Sequence, residues 1–106
     1  MPMSKRAKAL SISKAVKDTV WERDGHKCII CGSRYAFPDS HFIRRSHGGL
    51  GVEQNIVTMC RLCHDSYDHG TAETRHRIAN KTEEWLRICY PEWDRERLVY
   101  RKEQQC

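Results

Sequence analysis

The sequence predicts a small α+β domain whose fold depends on a bound metal ion. The chain has 106 residues, of which 39% are hydrophobic and 31% are charged, so only one domain with a thin core can form. Four of its six cysteines form two Cys-x-x-Cys pairs, and two short β-favouring segments lie between helical patterns. A small chain of this kind usually needs a covalent or metal-based link to be stable.

Helical patterns occur in three segments. Ser13 can cap a helix over residues 14–23, where apolar side chains follow one face. A second helix is predicted over residues 60–68, ending at a left-handed cap on Gly70. A longer helix is predicted over residues 72–89, because apolar side chains recur there at helical spacing.

Two short strands are predicted at residues 41–44 and 56–59, where β-favouring side chains concentrate. Residues 33–39 contain proline and mixed polar residues, which predicts a loop. Three glycines within residues 46–54 predict a flexible connection between the strands. Near the C-terminus, residues 98–100 are predicted to form a small strand or an extended strap.

The two pairs, Cys28-x-x-Cys31 and Cys60-x-x-Cys63, are the strongest chemical signal. A two-residue spacer lets one turn present two thiolates to the same ion, and zinc prefers four ligands in a tetrahedron. No apolar segment of the length of a membrane span or a signal peptide is present, so we expect a cytoplasmic protein, where cysteines favour metal over disulfides. These pairs therefore predict a structural zinc site; the alternative is four buried free thiols.

The net charge of +5 is unevenly distributed. Residues 1–17 contain five basic residues and no acidic one, so the rest of the chain has 14 basic and 14 acidic residues. Clustered basic residues gain affinity for nucleic acid by releasing counterions. Residues 1–13 are therefore predicted to be a basic arm, which is either a solvated, frayed terminus or a phosphate contact made by Lys5, Arg6 and Lys8.

The residues around and between the cysteine pairs resemble the HNH endonucleases. The resemblance covers about residues 14–70 and is greatest to small phage and prophage proteins. The segments that resemble the family are Val20–Gly25, Asp39–Ile43, Ser46–Gly49, Glu53–Val57 and Cys60–His64. It implies the ββα-metal finger, in which two antiparallel strands and a helix surround one divalent cation. The nuclease domain is then expected at residues 14–90, followed by a C-terminal strap at 91–106.

This resemblance implies a metal-dependent endonuclease that hydrolyses DNA phosphodiester bonds. By this resemblance, His41 occupies the position of the general base and His64 the position of the metal ligand on the helix. Asn55 matches the residue that braces the loop and orients the base. Asp68 lies one helical turn after His64 and could share a Mg²⁺, Mn²⁺ or other divalent ion with it. The expected DNA contacts near the site are Arg44, Arg45 and His47.

One position departs from the family pattern. The family usually has Asp or His immediately before the catalytic His, whereas this chain has Ser40. Asp39, one residue earlier, would point to the opposite face of a regular strand from that position, and could serve only if the strand starts late or bulges. Otherwise Ser40 with water, or His64 and Asp68 with the scissile phosphate, must complete the metal site. The alternative function is therefore a catalytically weakened, zinc-stabilised DNA-binding or nuclease-accessory module.

The resemblance to phage proteins also implies partners and a setting. It implies DNA as substrate, a phage terminase or another nuclease-complex protein as partner, and the cytoplasm of a bacterium or of a phage-infected host. No membrane contact is expected, and the oligomeric state stays open.

Overall fold

A two-stranded antiparallel sheet and four α-helices make up the fold of residues 3–101, the part of the chain that the computed structural model describes. In chain order the elements are α1 (Lys5–Leu10), α2 (Lys14–Arg23), β1 (Ala36–His41), β2 (Ile56–Cys60), α3 (Arg61–His69) and α4 (Ala72–Cys89). Short 3₁₀ turns lie at Arg45–His47 and Arg95–Leu98. The predicted α+β class is confirmed, and β1, β2 and α3 form the expected ββα unit.

Strand β1 begins earlier than the sequence predicts. A strand was expected at residues 41–44 and a loop at 33–39, but β1 covers Ala36–His41 and pairs with β2 so that His41 lies opposite Ile56. A β-bulge between Phe37 and Ser40 places two residues of β1 opposite one of β2. Because a bulge breaks the period-two alternation of side chains, the sequence pattern conceals this strand.

The helices α2 and α4 have the bounds that the sequence predicts, and Ser13 caps α2 by accepting a hydrogen bond of 3.1 Å from the Val16 N–H. The predicted left-handed cap on Gly70 is wrong, since this residue is extended at φ −74° and ψ −178°. The following residue, Thr71, already caps α4. The chain therefore passes directly from one helix into the next.

The basic arm contains a helix that sequence patterns do not reveal. Ser4 caps α1, and Leu10 at its end is buried with 2% of its surface exposed. A six-residue helix is too short to be stable alone in water, so its order depends on docking against the rest of the chain. Of the two alternatives for the arm, a frayed terminus is therefore wrong for residues 5–10.

The core lies between the sheet, α4 and the C-terminal segment. Every residue of β2 is buried, and the largest apolar contributors are Phe42, Met59, Ile78, Leu86, Trp93 and Leu98. The predicted strap at residues 98–100 pairs with the loop before β2, because Tyr100 donates a 2.7 Å hydrogen bond to the Gly48 carbonyl and Val99 bridges Gly49. Residues 102–106 of the strap lie outside the described part of the chain.

A buried ion pair joins α2 to both β2 and α4. The Arg23 Nε donates to an oxygen of Asp24 at 2.7 Å, and the second Asp24 oxygen accepts the Thr58 N–H at 2.8 Å. Trp85 on α4 donates its ring N–H to the same carboxylate at 2.8 Å. This pair anchors β2 to two helices at once.

None of the helices within residues 3–101 has the length and apolar character needed to cross a membrane.

Candidate active site and cysteine cluster

The four cysteines of the two pairs meet at one point. All four sulfurs lie within 4.8 Å of one another, and those of Cys31 and Cys60 are 3.6 Å apart. Four sulfurs around a tetrahedral ion, each about 2.3 Å from it, would be about 3.8 Å apart, so the cluster could hold a metal ion such as zinc. The first pair lies in the turn before β1, and the second spans the junction of β2 and α3.

Backbone N–H groups surround the sulfurs of the cluster. The Cys28 sulfur accepts from the N–H groups of Ile30 and Cys31 at 3.4 and 3.5 Å, and the Cys60 sulfur accepts from the Cys63 N–H at 3.4 Å. Burial acts to raise the pKa of Cys28, but the hydrogen bonds outweigh it and bring this pKa down to about 7. At Cys28 this favours the thiolate, the form that binds metals, whereas burial and the neighbouring thiols raise the pKa of Cys63.

A second polar feature is a cavity of about 650 Å³ lined by β1, α3, the loop after β1 and the segment that joins α1 to α2. Histidine, carboxylate and basic side chains share its wall. The lining residues are Ser11, Ile12, Lys17, Asp39, His41, Arg44, Arg45, Ser46, His64, Asp68 and His69. The predicted base and all three predicted ligands of the divalent ion therefore lie on one cavity.

His41 lies at the end of β1, half-buried in the cavity wall. Its Nε2 lies 2.9 Å from the main-chain carbonyl of Leu10. The next residue is fixed on both sides, since the Phe42 N–H donates to the Asn55 carbonyl at 2.8 Å and the Phe42 carbonyl accepts from the Tyr67 hydroxyl at 2.7 Å. Burial lowers the pKa of His41 despite the Leu10 bond, which favours the neutral form of its ring.

Asn55 is fully buried and ties both ends of the loop between the strands. Its Oδ1 accepts the Ile43 N–H at 2.8 Å, and its Nδ2 donates to the carbonyls of Ile43 and Leu50 at 3.2 and 2.9 Å. At Gly49 the chain passes so close to itself that a Cβ atom would lie 1.6 Å from the Ile43 oxygen. The loop that follows His41 is therefore held in one compact conformation.

The bulge in β1 decides where Asp39 lies. This residue lines the cavity together with His41, whereas Ser40 between them is fully buried and is not among the lining residues. The Asp39 Oδ1 is buried without a hydrogen-bond partner, and its Oδ2 is 3.5 Å from the Arg61 guanidinium. A buried carboxylate oxygen without a partner, on a cavity that histidines also line, is a suitable ligand for a cation.

His64 and Asp68 lie one turn apart on α3, as their spacing predicts. The His64 Nδ1 is 3.4 Å from an Asp68 oxygen, and about one third of each side chain is exposed. Within residues 3–101 the four cysteines are the only group of three or more potential ligands whose atoms all lie within 4.8 Å of one another. The proposed ligands on the cavity wall therefore line the same cavity, but their ligand atoms are not as close together as the four sulfurs.

The predicted DNA contacts divide into two groups. Arg44 and Arg45 line the cavity, although the Arg44 guanidinium also donates to the Tyr67 carbonyl at 3.1 Å. The other four lie away from the cavity wall: Lys5 and Arg6 in a groove beside Tyr100, and Lys8 and His47 on the exposed surface.

Three residues of this site were not identified from the sequence: Lys17, Tyr67 and His69. Tyr67 holds the carbonyl next to His41, and its position three residues after His64 on a helix would have placed it on the same face. Lys17 and His69 line the cavity. Lys17 belongs to the acid-free N-terminal segment, but nothing in the sequence indicates that α2 brings it to the site.

Residues 28–70 match the family model described as HNH endonuclease. Searches among curated proteins and among solved structures found no significant match to the chain. The matched segment begins at the first cysteine pair, contains β1, β2 and α3, and includes His41 and His64. The resemblance that the sequence suggests is thus confirmed over residues 28–70, which are similar to the HNH endonucleases.

Proposed function

We propose that this chain is a metal-dependent DNA endonuclease that hydrolyses phosphodiester bonds in the cavity described above. The family suggests a nuclease, and the observation that carries the proposal is the unpartnered Asp39 oxygen on the same cavity as His41, His64 and Asp68. A base, ligands for a cation and basic side chains are the groups that this hydrolysis requires.

His41 is the general base. Hydrolysis needs a group that removes a proton from the attacking water, and a neutral imidazole can do so at physiological pH. Asn55 and Tyr67 are positioning residues, since their hydrogen bonds hold the backbone on either side of Phe42, the residue next to His41. The base is therefore held by backbone contacts from both the loop and α3.

Asp39, His64 and Asp68 would hold the catalytic divalent ion. Carboxylate oxygens and an imidazole nitrogen bind Mg²⁺, Mn²⁺ and other divalent ions with weak selectivity. When bound, such an ion supplies a Lewis acid that stabilises the charge developing on the leaving 3′ oxygen. The bulge in β1 supports this ligand set, because Asp39 lines the cavity. Asp39 would then replace the metal ligand that the family usually has immediately before the base.

The cysteine cluster would hold a structural zinc ion. Four thiolates complete a tetrahedral shell, so no position is open for substrate or water. The sulfur separations support this assignment. The ion would link the turn before β1 to the start of α3, and β1 and α3 carry the base and the helical ligands.

DNA would be held mainly through its phosphates. Lys17, Arg44 and Arg45 lie on the cavity wall, and Lys5, Arg6, Lys8 and His47 extend the basic surface. Phosphate contacts of this kind carry no sequence information, and they weaken as salt rises. The similarity of residues 49–70 to small phage HNH proteins is the basis for proposing a phage terminase as a partner.

The experiment is a plasmid-nicking assay with Mg²⁺, Mn²⁺ or Ni²⁺ that compares the wild type with H41A, H64A and D68A. We expect H41A to lose about 10²–10⁴-fold in rate, the usual contribution of a general base. Matched controls are H76A and D65A, because both residues are exposed and lie outside the cavity wall.

Each other result of this assay has a defined meaning. Undiminished cleavage by H41A would show that His41 is not the base. A wild type that binds duplex DNA but never cuts with any of the three ions would favour a catalytically weakened binding module. Binding to neither single-stranded nor duplex DNA would favour an accessory protein-interaction module.

A further inference from the structure

We propose that the N-terminal helix α1 is a working part of this nuclease site, because the main-chain carbonyl of Leu10 fixes the tautomer and orientation of His41. The inference rests on the proposed function, in which His41 is the general base. It assigns to the basic arm a role beyond contact with phosphate.

The first observation is the hydrogen bond between the His41 ring and the Leu10 carbonyl, 2.9 Å long. A carbonyl can only accept, so Nε2 must carry the proton. In a neutral ring the proton is then absent from Nδ1, and that nitrogen is free to accept a proton from water. Within residues 3–101 this is the only hydrogen bond of the His41 side chain. The arm therefore determines which nitrogen acts as the base.

The second observation concerns the free carbonyls at the end of α1. The last carbonyls of a helix have no partner within the helix. Here the Ala9 carbonyl accepts the Gly51 N–H at 3.0 Å, and the next carbonyl, that of Leu10, accepts from His41. Two successive carbonyls of α1 thus bind the nuclease domain, one at its loop and one at its base.

The third observation is the absence of space at Gly51. A Cβ atom on this buried residue would lie 2.0 Å from the Ser11 oxygen and 3.0 Å from the Leu10 oxygen. The φ of Gly51 is not positive, so the requirement for glycine comes from the close approach of the arm. The Leu10 side chain is also buried, with 2% exposed. Docking of α1 is therefore specified by side-chain and main-chain contacts together.

The test uses the zinc-loaded chain of 106 residues with two variants that loosen α1 in different ways. G51A displaces the carbonyl segment from the loop side, and L10A removes the buried anchor from the helix side. L10M keeps the side-chain volume and serves as the rescue variant. I88A is the control for aliphatic truncation, because Ile88 is 73% exposed on α4.

Two readouts are measured for each protein. The first is the steady-state rate of plasmid nicking with Mn²⁺, separated into kcat and KM. The second is the ¹⁵N shift pair of the His41 ring at pH 8, which reports the tautomer without reference to cleavage. Circular dichroism confirms that each variant is folded.

We expect the wild type, L10M and I88A to show the Nε2–H tautomer and similar kcat. G51A and L10A should show a mixture of tautomers and a kcat about 10–100-fold lower, by analogy with the loss when the partner that orients a metal-binding histidine is removed. KM should change little, because the phosphate contacts remain.

Two results would overturn the inference. One is a folded G51A or L10A that keeps the Nε2–H tautomer and full kcat. The other is a variant that cuts faster than the wild type, which would make α1 an inhibitory element. If the wild type fails to nick DNA, the proposed function fails, whereas the ¹⁵N shifts still decide whether the arm selects the tautomer.

Discussion

At the scale of single residues, the buried amide of Asn55 holds the loop that follows His41, the proposed base, without contacting the His41 side chain. Its three hydrogen bonds satisfy both backbone groups of Ile43 and the carbonyl of Leu50. These contacts close the loop that begins just after His41. A buried polar side chain of this kind stabilises the fold only while every partner remains in place.

We predict that N55A lowers the free energy of unfolding by at least about 2 kcal/mol, since each buried group left without a partner costs about 1–3 kcal/mol. Urea denaturation of the zinc-loaded protein measures the change. N80A, at an exposed position on α4, should leave the midpoint unchanged. Equal stability of N55A and N80A would show that the loop does not depend on the amide.

Only some residues of the site could be predicted from the sequence. The cysteines could be proposed from their spacing alone, whereas His41, Asn55 and His64 could be proposed only from the resemblance to the HNH endonucleases, whose motif fixes order and distance along the chain. The location of Asp39 could not, since it depends on a bulge that forms only when β1 pairs with β2. The role of Leu10 is carried by its carbonyl, and a main-chain group leaves no signature in residue type.

At the scale of elements, the buried ion pair of Arg23 and Asp24 connects α2 with β2 and α4. The Asp24 side chain is fully buried and accepts four hydrogen bonds, from Arg23, Thr58 and Trp85. Arg23 in turn donates to the carbonyls of Glu53 and Ile56. Losing one partner would leave buried donors and a buried charge without compensation.

D24A is therefore expected to lower the free energy of unfolding by about 3–5 kcal/mol, the usual cost of breaking a buried pair. The measurement is a thermal or urea transition followed by circular dichroism. D18A is the matched control, because Asp18 forms an exposed pair with Lys14 and should give no measurable change. A small effect of D24A would mean that the three elements are joined mainly by apolar packing.

Elements differ in how well sequence predicts them. α2 and α4 have clear apolar periodicity and caps, so their bounds follow from local signals. β1 is concealed by its bulge, and α1 is too short to form without tertiary contacts. The extended Gly70 was missed because the cap of α4 begins at the next residue and determines the direction of the chain.

At the scale of the whole molecule, the stability of the fold has two proposed sources, a small apolar core and a metal ion held by the cysteine cluster. The strands and α4 bury the main apolar side chains, and the cluster joins the turn before β1 to the start of α3. Structural zinc contributes an apparent 10–16 kcal/mol or so in small zinc-binding peptides, comparable with the roughly 5–15 kcal/mol of net stability of a domain.

We predict that removing the metal unfolds the chain. Either a strong chelator or C60S should abolish the cooperative thermal transition seen by circular dichroism. C89S should retain it, because Cys89 lies outside the cluster. A native-like transition in C60S would show that the apolar core is sufficient.

The central claim is that Asp39, His64 and Asp68 bind one divalent ion beside His41. Anomalous scattering from a zinc-loaded crystal soaked in Mn²⁺ tests it most directly. We predict a manganese peak in the cavity within bonding distance of a His64 nitrogen and an Asp39 oxygen, with His41 beside the ion but not bound to it. An empty cavity, or manganese bound by His41 itself, would contradict the account.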